Sequence, residues 1–175
     1  MAYYVPTPRS EHNPTHESHL QHRNNNCTCA CAAVALDYET LGKLKVYPGD
    51  IRHNQRDMVL GTDLRDMQVA WKHFGHDLEI RSGGWPAVIT ALEQGRCVLL
   101  PGRSQKLEGA CSQSQATEHC ILLHPRGDRE KVGDKIYAMD PWCQPAKWEY
   151  MDRQVLYRYW KSLGWSIGVT RSRKP

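Results

Sequence analysis

Gln21-His22-Arg23-Asn24-Asn25-Asn26-Cys27-Thr28-Cys29-Ala30-Cys31-Ala32-Ala33-Val34-Ala35-Leu36 divides at its middle. Up to Asn26 it is a polar loop. From Cys27 it becomes a run of small and apolar residues with good helix propensity. The pattern predicts a helix over 27–38 with Ala30, Cys31, Val34 and Ala35 on its inward face, closed at Gly42. Cys27 then stands at a helix N-terminus, where the backbone dipole favours thiolate, the nucleophilic form of cysteine. Gln21, six residues earlier, has a side-chain amide placed to donate to an oxyanion beside that sulfur. A base and a group to orient it must come from further along. Two segments fit: Glu118-His119-Cys120-Ile121-Leu122-Leu123 and Ala138-Met139-Asp140-Pro141-Trp142.

Working outward, the N-terminal residues 1–20 are rich in Pro, His, Asn, Ser and Thr and read as an extended arm. His12, His16, His19 and His22 recur there at helix-like spacing, a pattern that suits either a metal or a plain polar arm; Pro14 interrupts any long helix. Beyond the first helix, Leu44–Tyr47 reads as a short extended piece, and Asp50 as the cap of a short helix. Asp63 caps a helix over Leu64–Phe74. Leu78–Arg81 alternates like a strand, Trp85–Gln94 is helical with Pro86 in its first turn, and Cys97–Leu100 is a buried strand. Residues 103–117 form a polar loop long enough to be functional. His119–His124 and Lys135–Met139 are strands that can pair as a hairpin. A helix over Met151–Leu163 with an apolar stripe, a last strand at Trp165–Thr170 and a basic tail at 171–175 complete the chain. Helices followed by a mainly antiparallel sheet make an α+β arrangement.

The 175 residues suit one domain with a real core. Apolar residues are 40% and charged residues 24%, ordinary for a globular protein. With one Phe, aromatic burial falls to six Trp and eight Tyr. The net charge of +4 helps approach to an anionic polymer but specifies none, and no aromatic RNA-binding motif or dense basic helix points to nucleic acid. The N-terminal stretch lacks the apolar segment of a signal peptide, and no window is apolar enough to span a bilayer, so no membrane partner is expected. Seven cysteines cannot all pair internally. Without a secretory signal, reduced thiols, a metal or a catalytic cysteine are the expected uses.

A thiol, an imidazole and a carboxylate are the parts of a cysteine peptidase. If the two strands are neighbours, His119 and Asp140 can project from one end of the sheet towards Cys27. The rival reading is a soft-metal site built from Cys27, Cys29 and Cys31 with Cys120, Cys143 or His124. Against it, the cysteines alternate without the usual spacer and run into an apolar helix.

These motifs resemble the papain-like cysteine peptidases, in which a Gln stands six residues before the nucleophile as Gln21 does before Cys27. The small-residue helix after Cys27, a His opening an apolar strand at His119 and the Asp140-Pro141 pair resemble the branch that removes double-glycine leader peptides. The chain is also similar to papain-like proteins of actinobacterial tailed phages, through Cys27-Thr28, Thr40-Leu41-Gly42, an Arg-containing short helix and Gly61-Thr62-Asp63-Leu64. The resemblance spans roughly residues 20–150. Two positions depart from it: the usual Gly after the nucleophile is Thr28, and the usual Gly before the His is Glu118, whose charge is expected close to the imidazole.

The resemblance implies a papain-like α+β fold over 21–170, an N-terminal helix on an antiparallel sheet. It implies Cys27 as nucleophile, His119 as base, Asp140 as its orienter and Gln21 in the oxyanion site, with no cofactor and no metal. The expected partners are peptidoglycan peptides or a protein substrate, and other phage tail proteins. The expected setting is a virion tail, or the host cytoplasm before assembly. A phage maturation protease and a catalytically weak or inactive structural tail protein are the alternatives it leaves open.

Overall fold

Val98-Leu99-Leu100 and Cys120-Ile121-Leu122-Leu123 are continuous apolar runs, as strands buried on both faces must be. They lie at the middle of a six-stranded antiparallel sheet in this computed structural model, which describes residues 3–11, 26–53, 63–115, 117–126, 133–164 and 166–171. The strands are β1 (Glu79–Arg81), β2 (Val98–Arg103), β3 (Glu118–His124), β4 (Lys135–Met139), β5 (Trp148–Asp152) and β6 (Ile167–Val169), in the order β1-β6-β2-β3-β4-β5. β2 and β3 pair over their full length, from Val98 with Leu123 to Arg103 with Glu118. β3 and β4 pair through Leu122 with Met139, so the predicted hairpin forms.

Side chains alternate across these strands and feed two cores. Leu99, Leu122 and Met139 face α1 (Cys27–Glu39), α2 (Pro48–His53) and α3 (Leu64–His73). Leu100, Ile121, Leu123 and Ala138 face α4 (Trp85–Glu93) and α5 (Arg153–Lys161). The sheet is therefore the middle of three layers, with α1 against its centre.

Helix α1 differs from the amphipathic expectation. All thirteen of its residues are buried, polar ones included. The sheet covers one side and α2 and α3 another, and the chain's own start covers Asp37. Tyr4 Oη donates to Asp37 Oδ1 (2.9 Å), and Arg9 makes a buried ion pair with Oδ2 (3.0 Å). Small side chains are what allow a helix to be enclosed this closely, so Cys29 and Cys31, both fully buried, pack as small apolar residues.

Asp63 caps α3, and the capping box with Asp66 is complete. Other boundaries shift. Leu44–Tyr47, expected as a short extended piece, joins no strand of the sheet and connects α1 to α2. The next helix begins at Pro48, and Asp50 lies inside it, accepting the Tyr47 N–H (2.8 Å). Residues 148–152, unassigned or given to a helix in the sequence, form edge strand β5. Asp152 then caps α5 by accepting from Gln154 and Val155, which moves the helix start to Arg153. The polar stretch 103–117 carries two 3-10 turns, Ser104–Lys106 and Cys111–Gln115. Cys111 is joined to Cys143 in a disulfide, contrary to the expectation of reduced thiols. The fold brings the two cysteines within bridging distance (Cα–Cα 5.4 Å) across 32 positions, which sequence spacing does not reveal. No helix among the described residues is long and apolar enough to cross a membrane.

Candidate active site

His119 is the second residue of β3 and Asp140 follows the last residue of β4. Because the two strands are antiparallel neighbours, both residues come to one end of the sheet. His119 Nε2–H donates to Asp140 Oδ1 at 2.8 Å, with both side chains buried. Asp140 is itself held: Oδ1 also accepts the Trp142 N–H (3.0 Å), and Oδ2 accepts the Ser112 N–H (3.0 Å). Burial works against the charged carboxylate, but the hydrogen bonds and charge of His119, with those from Ser112 and Trp142, hold its pKa below the ordinary Asp value. For the imidazole, burial pushes down while attraction to the Cys27 sulfur, together with Asp140, pushes up. The second effect wins and the pKa stands well above the usual His value.

The His119 backbone is fixed from behind. Tyr159 of α5 donates its hydroxyl towards the carbonyls of His119 (2.6 Å) and Leu100 (3.2 Å). Tyr159 can come that close only because Gly102, the register partner of His119, has no side chain. A Cβ at 102 would lie 2.5 Å from the Tyr159 carbonyl oxygen.

Cys27 is the first residue of α1 and is 8% exposed. Asn26, just before it, does not cap the helix with its side chain. Its Oδ1 instead accepts from the fully buried Arg52 of α2 (3.1 Å). This ties the start of α1, and so the position of the sulfur, to the neighbouring helix. With Nε2 of His119 on Asp140, the other ring nitrogen is left for Cys27.

A third group meets them from the N-terminal segment. Residues 3–11 run as irregular backbone from the C-terminal end of α1 to the site. Tyr4 and Pro6 carbonyls accept from His124 (2.7 Å) and Trp148 (2.8 Å), Ser10 Oγ donates to the Cys143 carbonyl (2.9 Å), and the Glu11 N–H donates to the Pro141 carbonyl (2.9 Å). Glu11 is 2% exposed, and its carboxylate, Cys27 Sγ and a His119 ring nitrogen lie within 4.8 Å of one another. Burial, with repulsion from Asp140, pushes its pKa up to about 7 against the pull of His119.

A groove of about 560 Å³ opens beside Cys27 and His119, walled by Leu64, Ile80, Pro101 and Leu163. Glu118 is exposed and lines the groove beside His119.

No family model and no curated protein matches the sequence. Solved structures do match the fold. A C39-like peptidase of Bacillus anthracis superposes with TM-score 0.58 at 14% identity, over 86% of this chain and 91% of the other. The fold is that of the C39-like, papain-like peptidases. The peptidase domain of Streptococcus ComA, a bifunctional ABC transporter of a quorum-sensing pathway, gives 0.57 at 12% identity over 86% and 94%. A double-glycine-motif protease from an AMS/PCAT transporter, solved with its leader peptide, gives 0.53 at 13% over 86% and 86%.

Of the four residues singled out in the sequence, Cys27, His119 and Asp140 converge, and Gln21 lies outside the described residues, as do His12, His16, His19 and His22. The rival metal set does not assemble among the described residues: Cys143 is in the disulfide, and Cys29 and Cys31 are packed in the core. Glu11, Ser112, Gly102 and Tyr159 were not visible in the sequence as site residues. Ser112 acts through its backbone, and Glu11 sits in an arm without periodicity.

Proposed function

We propose that the protein is a cysteine peptidase that cleaves peptide or amide bonds, and the observation that carries this is His119 held between Asp140 and Cys27. His119 takes the thiol proton, and the Cys27 thiolate, paired with the imidazolium, attacks the carbonyl carbon. The tetrahedral oxyanion is met by the Cys27 backbone N–H at the start of α1 and by the Gln21 amide. On collapse, His119 gives the proton to the departing amine, leaving a thioester. Water, deprotonated by His119, then releases the acid. Asp140 keeps the imidazole in one orientation and stabilises its charged form.

The substrate in this reading is a stem or cross-bridge peptide of peptidoglycan, opened locally by a phage tail component in contact with other tail proteins. The likeness to actinobacterial phage proteins and the mild positive charge support it, and the partly apolar groove suits a peptide. A protein substrate, as for a maturation protease, is the second reading, favoured by the leader peptide bound to one structural neighbour.

Incubating the protein and its Cys27→Ala variant with purified actinobacterial cell wall, and measuring new free amines, tests the proposal. Release by the parent alone is expected. Equal release by both removes Cys27 as nucleophile, and release by neither favours a structural tail protein.

A further inference from the structure

We propose that Glu11, Cys27 and His119 form a reversible binding site for a zinc-class divalent cation, which silences the nucleophile while bound. Binding needs only the three side chains; the silencing rests on the reading of Cys27 as nucleophile.

The donor set is one thiolate sulfur, one imidazole nitrogen and one carboxylate oxygen, the ligand types of zinc and unlike the all-oxygen shells of magnesium or calcium. The three atoms already lie within 4.8 Å of one another. Tetrahedral zinc with ordinary bond lengths needs them roughly 3.4–3.7 Å apart. The closure required is therefore of the order of an ångström, within the torsional reach of Glu11 and Cys27.

The surroundings fit as well. A metal-bound histidine commonly gives its other N–H to a carboxylate, which aims the ligating nitrogen. His119 does this through Nε2 to Asp140, and Asp140 is braced in turn by Ser112 and Trp142. Glu11 is delivered by a tethered backbone, through its own N–H to Pro141 and through Ser10 to Cys143 and Ala146. The thiolate and carboxylate together balance the two charges of the ion, and the protons held by the thiol–imidazole pair and by Glu11 leave to solvent. The fourth position faces the groove that Cys27 and His119 line, where water completes the shell. Bound metal occupies both the sulfur and the nitrogen that hydrolysis uses, so binding and turnover exclude each other.

Cobalt(II) added to the full-length, metal-free protein is the probe. One ion per chain is expected, with the near-ultraviolet band of a cobalt–thiolate bond and the visible bands of tetrahedral cobalt, both displaced by zinc. Cys27→Ser should remove the thiolate band. Glu11→Gln and Glu11→Ala should each weaken binding at least tenfold, and Asp140→Asn roughly 10–100-fold as an outer-sphere change. Glu108→Gln, exposed and remote, should bind as the parent does, and thermal melts check that each variant is folded. A thiolate band that survives in Cys27→Ser, unchanged affinity in both Glu11 variants, or no binding at all overturns the proposal. In the cell-wall assay zinc should abolish amine release by the parent; stimulation by zinc overturns the silencing. Cobalt binding that follows this pattern while no protein releases amines would sink the reading of peptidoglycan as substrate and leave the metal site standing.

Discussion

Removing the Cys111–Cys143 bridge should cost both stability and alignment of the catalytic groups. The bridge spans 32 positions, and the chain-entropy relation for a loop of that size gives about 3.7 kcal/mol at 25 °C. For a chain of 175 residues this corresponds to a Tm lower by roughly 7–15 °C. The functional cost has a separate origin. Cys111 begins the 3-10 turn whose next residue, Ser112, donates its N–H to Asp140, and Cys143 lies three residues beyond Asp140. Without the bridge this charge-assisted hydrogen bond loosens, and partial loss of its ~1.5–3 kcal/mol lowers kcat/KM about tenfold. Cys111 is exposed, so a mild reductant should reach the bond. The assay is differential scanning calorimetry and cleavage kinetics on the parent, the reduced parent and Cys111→Ser/Cys143→Ser. Thiol titration under denaturing conditions should give five thiols before reduction, the five free cysteines, and all seven after it. A double variant that melts within about 2 °C of the parent would refute the stability argument. Unchanged kcat/KM would refute the link from the bridge through Ser112 to Asp140.

Three further changes probe other parts of the structure. Gly102→Ala forces a Cβ to within 2.5 Å of the Tyr159 carbonyl oxygen, so α5 must shift; about 1–3 kcal/mol of stability and a Tm several degrees lower are expected, and an unchanged melt would show the contact is not tight. Asp140→Asn leaves one acceptor oxygen for three N–H donors; it should cut kcat/KM by about a hundredfold or more and move the alkaline limb of the pH profile to lower pH, because Asp140 helps to raise the His119 pKa. His124 is buried and its pKa is pushed down to about 4, so the unfolded chain takes up a proton before the folded one does. Stability should therefore fall between about pH 6.5 and 4, by up to roughly 3 kcal/mol from this group; urea midpoints at pH 7 and pH 4.5 should differ less in His124→Gln than in the parent, and equal differences would remove the assignment.

Much of the architecture could be read from periodicity and punctuation. The helix after Cys27, the Asp63 cap, the proline at the start of α4 and the hairpin of β3 and β4 each rest on a local signal that tertiary packing did not override. β5 failed that test. Trp148-Glu149-Tyr150-Met151-Asp152 alternates only weakly because, as an edge strand, it is partly exposed on both faces. The helix expected over Met151–Leu163 took in its last two residues. The residues assigned to the inward face of α1 are buried as expected, but so is every other residue of the helix. A pattern of mostly small residues carries little amphipathic contrast, and the full enclosure of the helix depends on layers contributed by distant segments.

The site divides in the same way. Cys27, His119 and Asp140 announce themselves through side-chain chemistry at element ends. The groups that set their behaviour do so through atoms every residue has, or through the lack of one: the Ser112 N–H, the Trp142 N–H, the Pro141 carbonyl and the missing side chain of Gly102. Composition is silent about such contacts, since another residue at 112 would offer the same N–H. What selects them is topology. The antiparallel register places Gly102 across from His119, and the chain reversal after β4 turns Asp140 towards the 3-10 turn. Glu11 is the exception, because there the side chain matters and the carrier has no regular structure. Its position depends on bonds to Pro141 and, through Ser10, to Cys143, residues that directly follow Asp140 in the same loop. The loop that fixes the orienting carboxylate therefore also fixes the second carboxylate. A perturbation of residues 141–143 should disturb both at once.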